Sequence, residues 1–341
     1  MALAMVGWMG ILWALGGYFR WPRPLVWGLI VVSYLAGLGL QMTVPQGEPG
    51  GWALFGGLAA LAGLYAFGLA RLKARMVPQP DPAPRPTGLF RDAELERYTR
   101  HIVLRELGGP GQRKLKEAKV LVVGAGGLGS PALLYLAAAG VGTLGVIDAD
   151  RVDNSNLQRQ IIHRDGTIGL PKVQSAAEAL RALNPFVAVR PYERALTEEM
   201  AGELFAQYDV ILDGTDNFAT RYLSNSAAVA QGKPLISGAL AQWEGQISVF
   251  DPAEGGPCYE CIFPEAPAPG LAPSCAEAGV VAALPGVIGS MMALEAIKQI
   301  TGAGHVTRGE MLIYDGLYGE SRKIKLSPRA GCAVCGALEN R

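Results

Sequence analysis

The chain has 341 residues, enough for one large domain or two ordinary ones, and its 30 basic residues balance its 30 acidic ones. No basic face dominates that count, which argues against a nucleic-acid partner.

The first 70 residues carry only Arg20, Arg23 and Glu48 as charges. Residues 1–19, 24–47 and 49–70 are charge-free runs, each long enough to cross about 30 Å of hydrocarbon. The expectation is three transmembrane helices forming a membrane anchor over residues 1–76. The first charge follows the first apolar run, the reverse of a cleaved signal peptide. Arg20 and Arg23 in the first loop, with Arg71, Lys73 and Arg75 after the third run, fall on the cytoplasmic side. The expected localisation is therefore the inner (cytoplasmic) membrane, multi-pass, with the N-terminus outside, the lipid bilayer as a partner and the catalytic domain in the cytoplasm. The five cysteines would then sit in a reducing compartment, where thiols bind metal or react more often than they form disulfides. Residues 77–88 include "VPQPDPAPRP" and read as a semi-rigid spacer of about 3 Å per residue. Residues 89–341 form the functional domain.

That domain begins with the helical pattern "FRDAELERYTRHIVLRELGG". Residues 119–123 then read as a short buried strand feeding Gly124, Gly126 and Gly129, the G-x-G-x-x-G spacing of a phosphate loop. Ser130 can cap the next helix and Pro131 suits its first turn, so the unpaired amides of the helix start face an anion. The next strand, "TLGVID", ends in Asp148, with Asp150 two residues on, where an acid reaches a ribose hydroxyl. A nicotinamide site and a tight structural turn both stay open at this point.

"DRVDNSNLQRQIIH" supplies Asn156, Gln158 and Arg159, and Lys172 opens an amphipathic helix. Either cation alone reads as a surface residue. Together they suit a triphosphate, whose charge builds up as pyrophosphate leaves. The strand "DVILDG" runs into Thr215, Asp216 and Asn217, with Arg221 on the following helix. An acid at the carboxyl end of a parallel strand points into the ligand crevice and can hold Mg2+; a helix N-cap is the other reading of Asp216. His101, His163 and His305 show no catalytic grouping and read as structural.

"CYEC" at Cys258 and Cys261 and "CAVC" at Cys332 and Cys335 can supply four thiolates for a closed tetrahedral zinc site. Their wide separation leaves redox pairs or unligated cysteines as alternatives. Cys275 lies in "PEAPAPGLAPSCAEAG", read as a mobile loop over the site, and serves either chemistry or packing.

The glycine loop, the Asp148/Asp150 pair, "SNLQRQ", Lys172 and "TDN" together resemble the bacterial sulfur-carrier adenylyltransferases. These are the molybdopterin-synthase and thiamine-pathway adenylating enzymes, relatives of the ubiquitin-activating enzymes. The resemblance runs from Leu89 to Gly336 and includes "RYTRHI" and "CAEAG"; residues 1–76 have no family counterpart. It implies ATP-dependent adenylation of the C-terminal glycine of a small ubiquitin-like sulfur-carrier protein ending in Gly-Gly. A carrier of the molybdopterin-synthase type is the first choice, and a thiamine-pathway or tRNA-thiolation carrier the alternative. At matching positions it implies that Gly127 and Asp148 contact the nucleotide and that Ser155, Asn156, Leu157, Gln158 and Arg159 bind ribose and phosphate. Lys172 would neutralise phosphate charge, and Asp216 with Asn217 would serve Mg2+ and the nucleotide. Arg100 would reach the phosphates of the partner subunit, which predicts a homodimer. Cys258, Cys261, Cys332 and Cys335 match the zinc ligands, and Cys275 matches a cysteine that forms a thioester or persulfide in some relatives. With no sulfur-transferase domain after the second knuckle, the sulfur donor is expected to be a separate protein.

The expected fold class is α/β, a doubly wound, mostly parallel Rossmann-like sheet with a structural zinc site, preceded by three transmembrane helices. An NAD-dependent oxidoreductase would use the same glycine loop and Asp148, and a non-catalytic membrane scaffold would keep the fold without ATP chemistry. Arg159, Lys172 and Asp216 together argue against both.

Overall fold

The structure is a computed structural model. It describes residues 88–268 and 278–336, and before them residues 11, 15, 23–43, 61, 63–69 and 71. The chain divides into two compact units, Met1–Arg85 and Pro86–Arg341.

The first unit corrects the expectation of three transmembrane helices. Among the described residues, no helix is long and apolar enough to cross a membrane. A run without charges is not by itself a span, which requires about 20 predominantly apolar residues in one helix. Helix α1 (Arg23–Thr43) has 21 residues, but it starts on a charged residue and interleaves Gly28, Ser33, Tyr34, Gly37, Gly39 and Gln41 with its apolar ones. Most of the first and third runs, and the proline-rich stretch before residue 88, lie outside the described residues. The multi-pass inner-membrane localisation rested on the same three helices and is corrected with them, as is the reason for naming a lipid bilayer as partner.

In the second unit two helices, α2 (Asp92–Ile102) and α3 (Gly108–Glu117), precede the first strand. Strand and helix then alternate: β1 (Lys119–Val123), α4 (Gly129–Ala139), β2 (Thr143–Ile147), α5 (Lys172–Leu183), β3 (Ala188–Tyr192), α6 (Glu198–Ala206), β4 (Val210–Asp213), α7 (Phe218–Ala230) and β5 (Leu235–Ala241). These five strands pair in parallel in the order β3-β2-β1-β4-β5. The Rossmann-like part of the expectation fits this half.

The sheet continues with β6 (Glu244–Phe250), β7 (Glu310–Asp315) and β8 (Glu320–Lys325), all antiparallel to their neighbours. A two-residue connection, Gln242 and Trp243, turns β5 back into β6, and Gln242 takes a left-handed backbone with φ 51°. Between β6 and β7 lie the short α8 (Tyr259–Ile262) and the long α9 (Leu284–Thr301).

The period-2 pleat divides β1 between two cores. Val120 and Val122 join Leu136 of α4, Val173 of α5 and Ile288 and Met292 of α9 on one face. Leu121 and Val123 join Phe205 of α6 and Ala227 of α7 on the other. Burial on both faces explains why β1 and β4 read as unbroken apolar runs, and it leaves the carboxyl ends of β1, β2 and β4 facing one crevice.

Candidate active site

A cavity of about 910 Å3 opens at those strand ends. Its floor is the glycine loop. Gly124 has φ +92°, a conformation comfortable only for glycine, and a Cβ on Gly129 would land on the Gly124 carbonyl oxygen. The loop therefore closes on itself, with the Ser130 amide donating to Gly126 O at 2.9 Å. Leu128, not Ser130, is the N-cap of α4 and makes no side-chain cap; the Ser130 hydroxyl is buried with no hydrogen-bond partner among the described residues. Pro131 does fall in the first turn.

These contacts make opposite predictions for two glycines. Gly129→Ala collides with backbone and is expected to cost more than about 2 kcal/mol of stability. A Cβ on Gly126 meets nothing nearer than Gln160 Nε2 at 3.7 Å, so Gly126→Ala should melt like the parent while obstructing a ligand laid against the loop. Thermal melts paired with ATP titration separate the two.

Asp148 closes β2, and both its carboxylate oxygens accept backbone amides, Ala125 N and Asp150 N, each at 2.8 Å. The second acid, Asp150, has the buried Lys172 as its partner at 2.7 Å. Lys172 is the first residue of α5, and its side chain is 7% exposed against 69% for Asp150. An ammonium has three donors, so this contact leaves two for the cavity that Lys172 lines.

Arg159 lines the same cavity. Its guanidinium donates to Asn156 Oδ1 at 3.0 Å and Ser155 O at 3.3 Å. Asp153 in turn holds Ser155 through its amide and hydroxyl. Ser155 and Asn156 thus orient Arg159, while Ser155, Asn156, Leu157 and Gln158 do not themselves line the cavity.

On the far wall, Asn217 is the N-cap of α7, accepting from Thr220 N at 2.8 Å. The neighbouring Asp216 is exposed, lines the cavity and has no hydrogen-bond or ion-pair partner among the described residues. A free carboxylate at that strand end suits Mg2+, which takes one or two carboxylates together with substrate phosphates. Asp216 is presented by a braced turn. The buried Asp213 accepts from the amide and hydroxyl of Thr215, and Arg221 donates to Thr215 O, to Gly238 O at 2.7 Å and to Ser237 Oγ at 3.1 Å.

Arg100, at the end of α2, is exposed and lies away from the cavity of its own chain. Cys275 lies outside the described residues. Sequence reasoning missed Gln160, a cavity-lining side chain that is 4% exposed and whose Oε1 has no partner among the described residues. Its position directly after Arg159 was the available signal.

The four remaining cysteines converge. All are buried and undisulfided, and their sulfurs lie within 4.8 Å of one another. The closest pairs are Cys258–Cys261 at 3.8 Å, Cys258–Cys332 at 3.6 Å and Cys261–Cys335 at 3.4 Å. Zn–S bonds of about 2.3 Å in a tetrahedron put sulfurs roughly 3.8 Å apart, so the set fits zinc. Burial raises the Cys258 and Cys335 thiols, whereas at Cys332 burial is opposed by hydrogen bonds from the backbone amides of Cys335 and Val334 and from the Cys258 and Cys335 side chains, which together draw the thiol down to about 6. Tyr259, inside the first knuckle, lines the cavity, and its amide donates to Asn225 Oδ1 of α7 at 2.9 Å. The metal site and the cavity wall therefore share one short helix.

Residues 98–334 match the ThiF family. The chain belongs to the ThiF family. Among the similar members, the sulfur carrier protein adenylyltransferase of Thermus thermophilus is 50% identical over 247 residues, covering 71% of this chain and 91% of its own length. The probable adenylyltransferase/sulfurtransferase MoeZ of Mycobacterium tuberculosis is 51% identical over 248 residues, covering 72% of this chain but only 63% of MoeZ. Among solved structures, E. coli MccB superposes on this ThiF-family chain with a TM-score of 0.62 at 22% identity, over 70% of the chain and 72% of MccB. At that identity the likeness speaks for the fold alone.

Proposed function

We propose that this ThiF-family chain adenylates the C-terminal glycine carboxylate of a small ubiquitin-like sulfur-carrier protein, with ATP as donor and pyrophosphate leaving. A carrier of the molybdopterin-synthase type, ending in Gly-Gly, is the preferred substrate, and residues 89–341 are the adenylating domain. The observation that carries this reading is the convergence of Lys172, Arg159 and Asp216, whose carboxylate has no partner among the described residues, on a single cavity floored by a glycine loop. The 50% identity to an adenylyltransferase of sulfur carriers supports it.

The chemistry suits these residues. The attacking carboxylate, with an ordinary pKa of about 3.3–3.7, is already ionised at neutral pH and needs no general base. What it needs is alignment with the α-phosphorus and relief of charge on the departing pyrophosphate. The glycine-loop amides and the start of α4 receive phosphate oxygens; Lys172 and Arg159 oppose the negative charge that grows as the bond to pyrophosphate breaks. Asp216 would hold Mg2+, which supplies further charge neutralisation on the phosphates when bound. The four cysteines would hold zinc as a structural ion.

In this reading the protein is a homodimer in which Arg100, exposed and away from its own cavity, completes the site of the partner subunit. A two-variant mixture tests that directly. Arg100→Ala and Asp216→Ala homodimers should each be inactive, and mixing them should restore activity in heterodimers that contain one intact site. The main proposal is tested by incubating the protein with ATP, Mg2+ and a Gly-Gly-ended carrier and measuring the carrier's intact mass. An added AMP moiety on the C-terminal glycine is expected, and an unmodified carrier across a panel of such proteins would refute it.

A further inference from the structure

His163 read as a structural histidine in the sequence, yet it stands where three parts of the candidate site meet. It is buried, 6% exposed. Its Nε2 lies 3.0 Å from the carbonyl oxygen of Ala125, inside the glycine loop. Its Nδ1 lies 2.9 Å from the hydroxyl of Ser175, one turn along α5 from Lys172. The same hydroxyl is 2.9 Å from Thr167 Oγ1. Through its own amide, His163 also closes the turn that carries Gln160, donating to Gln160 O at 3.0 Å.

The ring's protonation pattern follows from these partners. The Ala125 carbonyl can only accept, so Nε2 carries the proton. Burial holds the imidazole below its ordinary range, reinforced by Lys172 and opposed by the Ala125 hydrogen bond and Asp148. The ring is therefore neutral at neutral pH, with its proton on Nε2 and with Nδ1 packed 2.9 Å from the Ser175 hydroxyl. The Ala125 peptide is thus gripped at both ends: Asp148 at the end of β2 takes its N–H, and His163 takes its C=O.

We propose that His163 is a positioning residue that sets the glycine loop at a fixed distance from the start of the Lys172 helix, and so sets the affinity for the triphosphate the two hold together. The consequence for ATP rests on the reading of the cavity as an ATP site; the brace itself does not. Without it, the loop keeps only the Asp148 tether at Ala125, and the Lys172 helix reaches the loop through the longer chain of Asp150 and Asp148. Neither the fold's core nor the phosphate chemistry requires an imidazole here, since His163 touches no reacting atom.

Two amide substitutions separate its two bonds. Glutamine places its terminal nitrogen near Nε2 and can keep the donor to Ala125, whereas asparagine is shorter and reaches only the position of Nδ1. We expect His163→Asn to weaken ATP binding roughly tenfold and to speed hydrogen exchange of the amides of residues 125–130 in the nucleotide-free full-length protein. His163→Gln should recover most of both. The hydrogen-exchange arm needs no ligand, so the two readings can fail separately. Unchanged exchange of those amides in His163→Asn would overturn the brace. Equal loss in both variants, tracking a fall in melting temperature, would reduce His163 to a packing residue. An exchange contrast between the variants in a protein whose wild type binds no ATP would uphold the brace and overturn the nucleotide reading of the cavity.

Discussion

Lys172→Met should lower kcat for carrier adenylation by about 10²–10³-fold while leaving the melting temperature close to that of the parent. The catalytic half of this expectation follows from removing a preorganised cation from a site where charge develops in the transition state. The stability half follows from the asymmetry of the pair. Lys172 is buried and Asp150 is exposed, so the carboxylate left behind is solvated and pays little for losing its partner. Methionine fills the volume of the lysine stem and removes a buried charge, which offsets part of the lost ion pair. Steady-state kinetics beside a thermal melt checks both halves. Activity within threefold of the parent would mean that the Lys172 ammonium is spent on Asp150 alone.

Metal removal should have the larger effect on the fold. Two knuckles 74 positions apart in sequence bring four buried sulfurs within 4.8 Å of one another, and an ion there ties the α8 knuckle to the C-terminal turn. Structural zinc contributes folding free energy outright. Losing several kcal/mol from a domain of this size corresponds to a melting temperature lower by about 10 °C or more. Chelation, or Cys332→Ser, is therefore expected to lower the melt by that amount. Because Tyr259 sits between two of the ligands and on the cavity wall, the surviving folded protein should also bind ATP more weakly. Metal analysis giving no zinc in the purified chain, with a melt indifferent to chelator, would contradict this.

Much of the candidate site was legible because its parts are local signals at strand ends. The glycine spacing, Asp148 and Asp216 each follow a short apolar run, the topology carries such ends to one crevice, and Lys172 opens an amphipathic helix beside it. Residues whose meaning is tertiary were not legible. His163 earns its place by a hydrogen bond to a residue 38 positions earlier, and Arg221 braces the Asp216 turn by reaching the Gly238 carbonyl and the Ser237 hydroxyl on β5. The partner of Asp150 is likewise a helix start 22 residues away. Ser130 failed as a cap because the helix already starts at Gly129, with Leu128 at the N-cap. The antiparallel half of the sheet was hidden for a different reason. The β5–β6 hairpin turns through Gln-Trp, with Gln242 at positive φ, where Asn-Gly or Asp-Gly would have announced it. The N-terminal expectation failed because counting charges measures only what a segment lacks, whereas a span also needs continuous helix of sufficient apolar length.

The most direct test of the account is ATP–pyrophosphate exchange by the full-length protein, with Gly-Gly-ended carriers supplied one at a time and Asp216→Ala measured in parallel. Exchange is expected to depend on one carrier, to require its terminal glycine carboxylate and to disappear in the variant. Exchange without any carrier, or undiminished by the loss of Asp216, would contradict it.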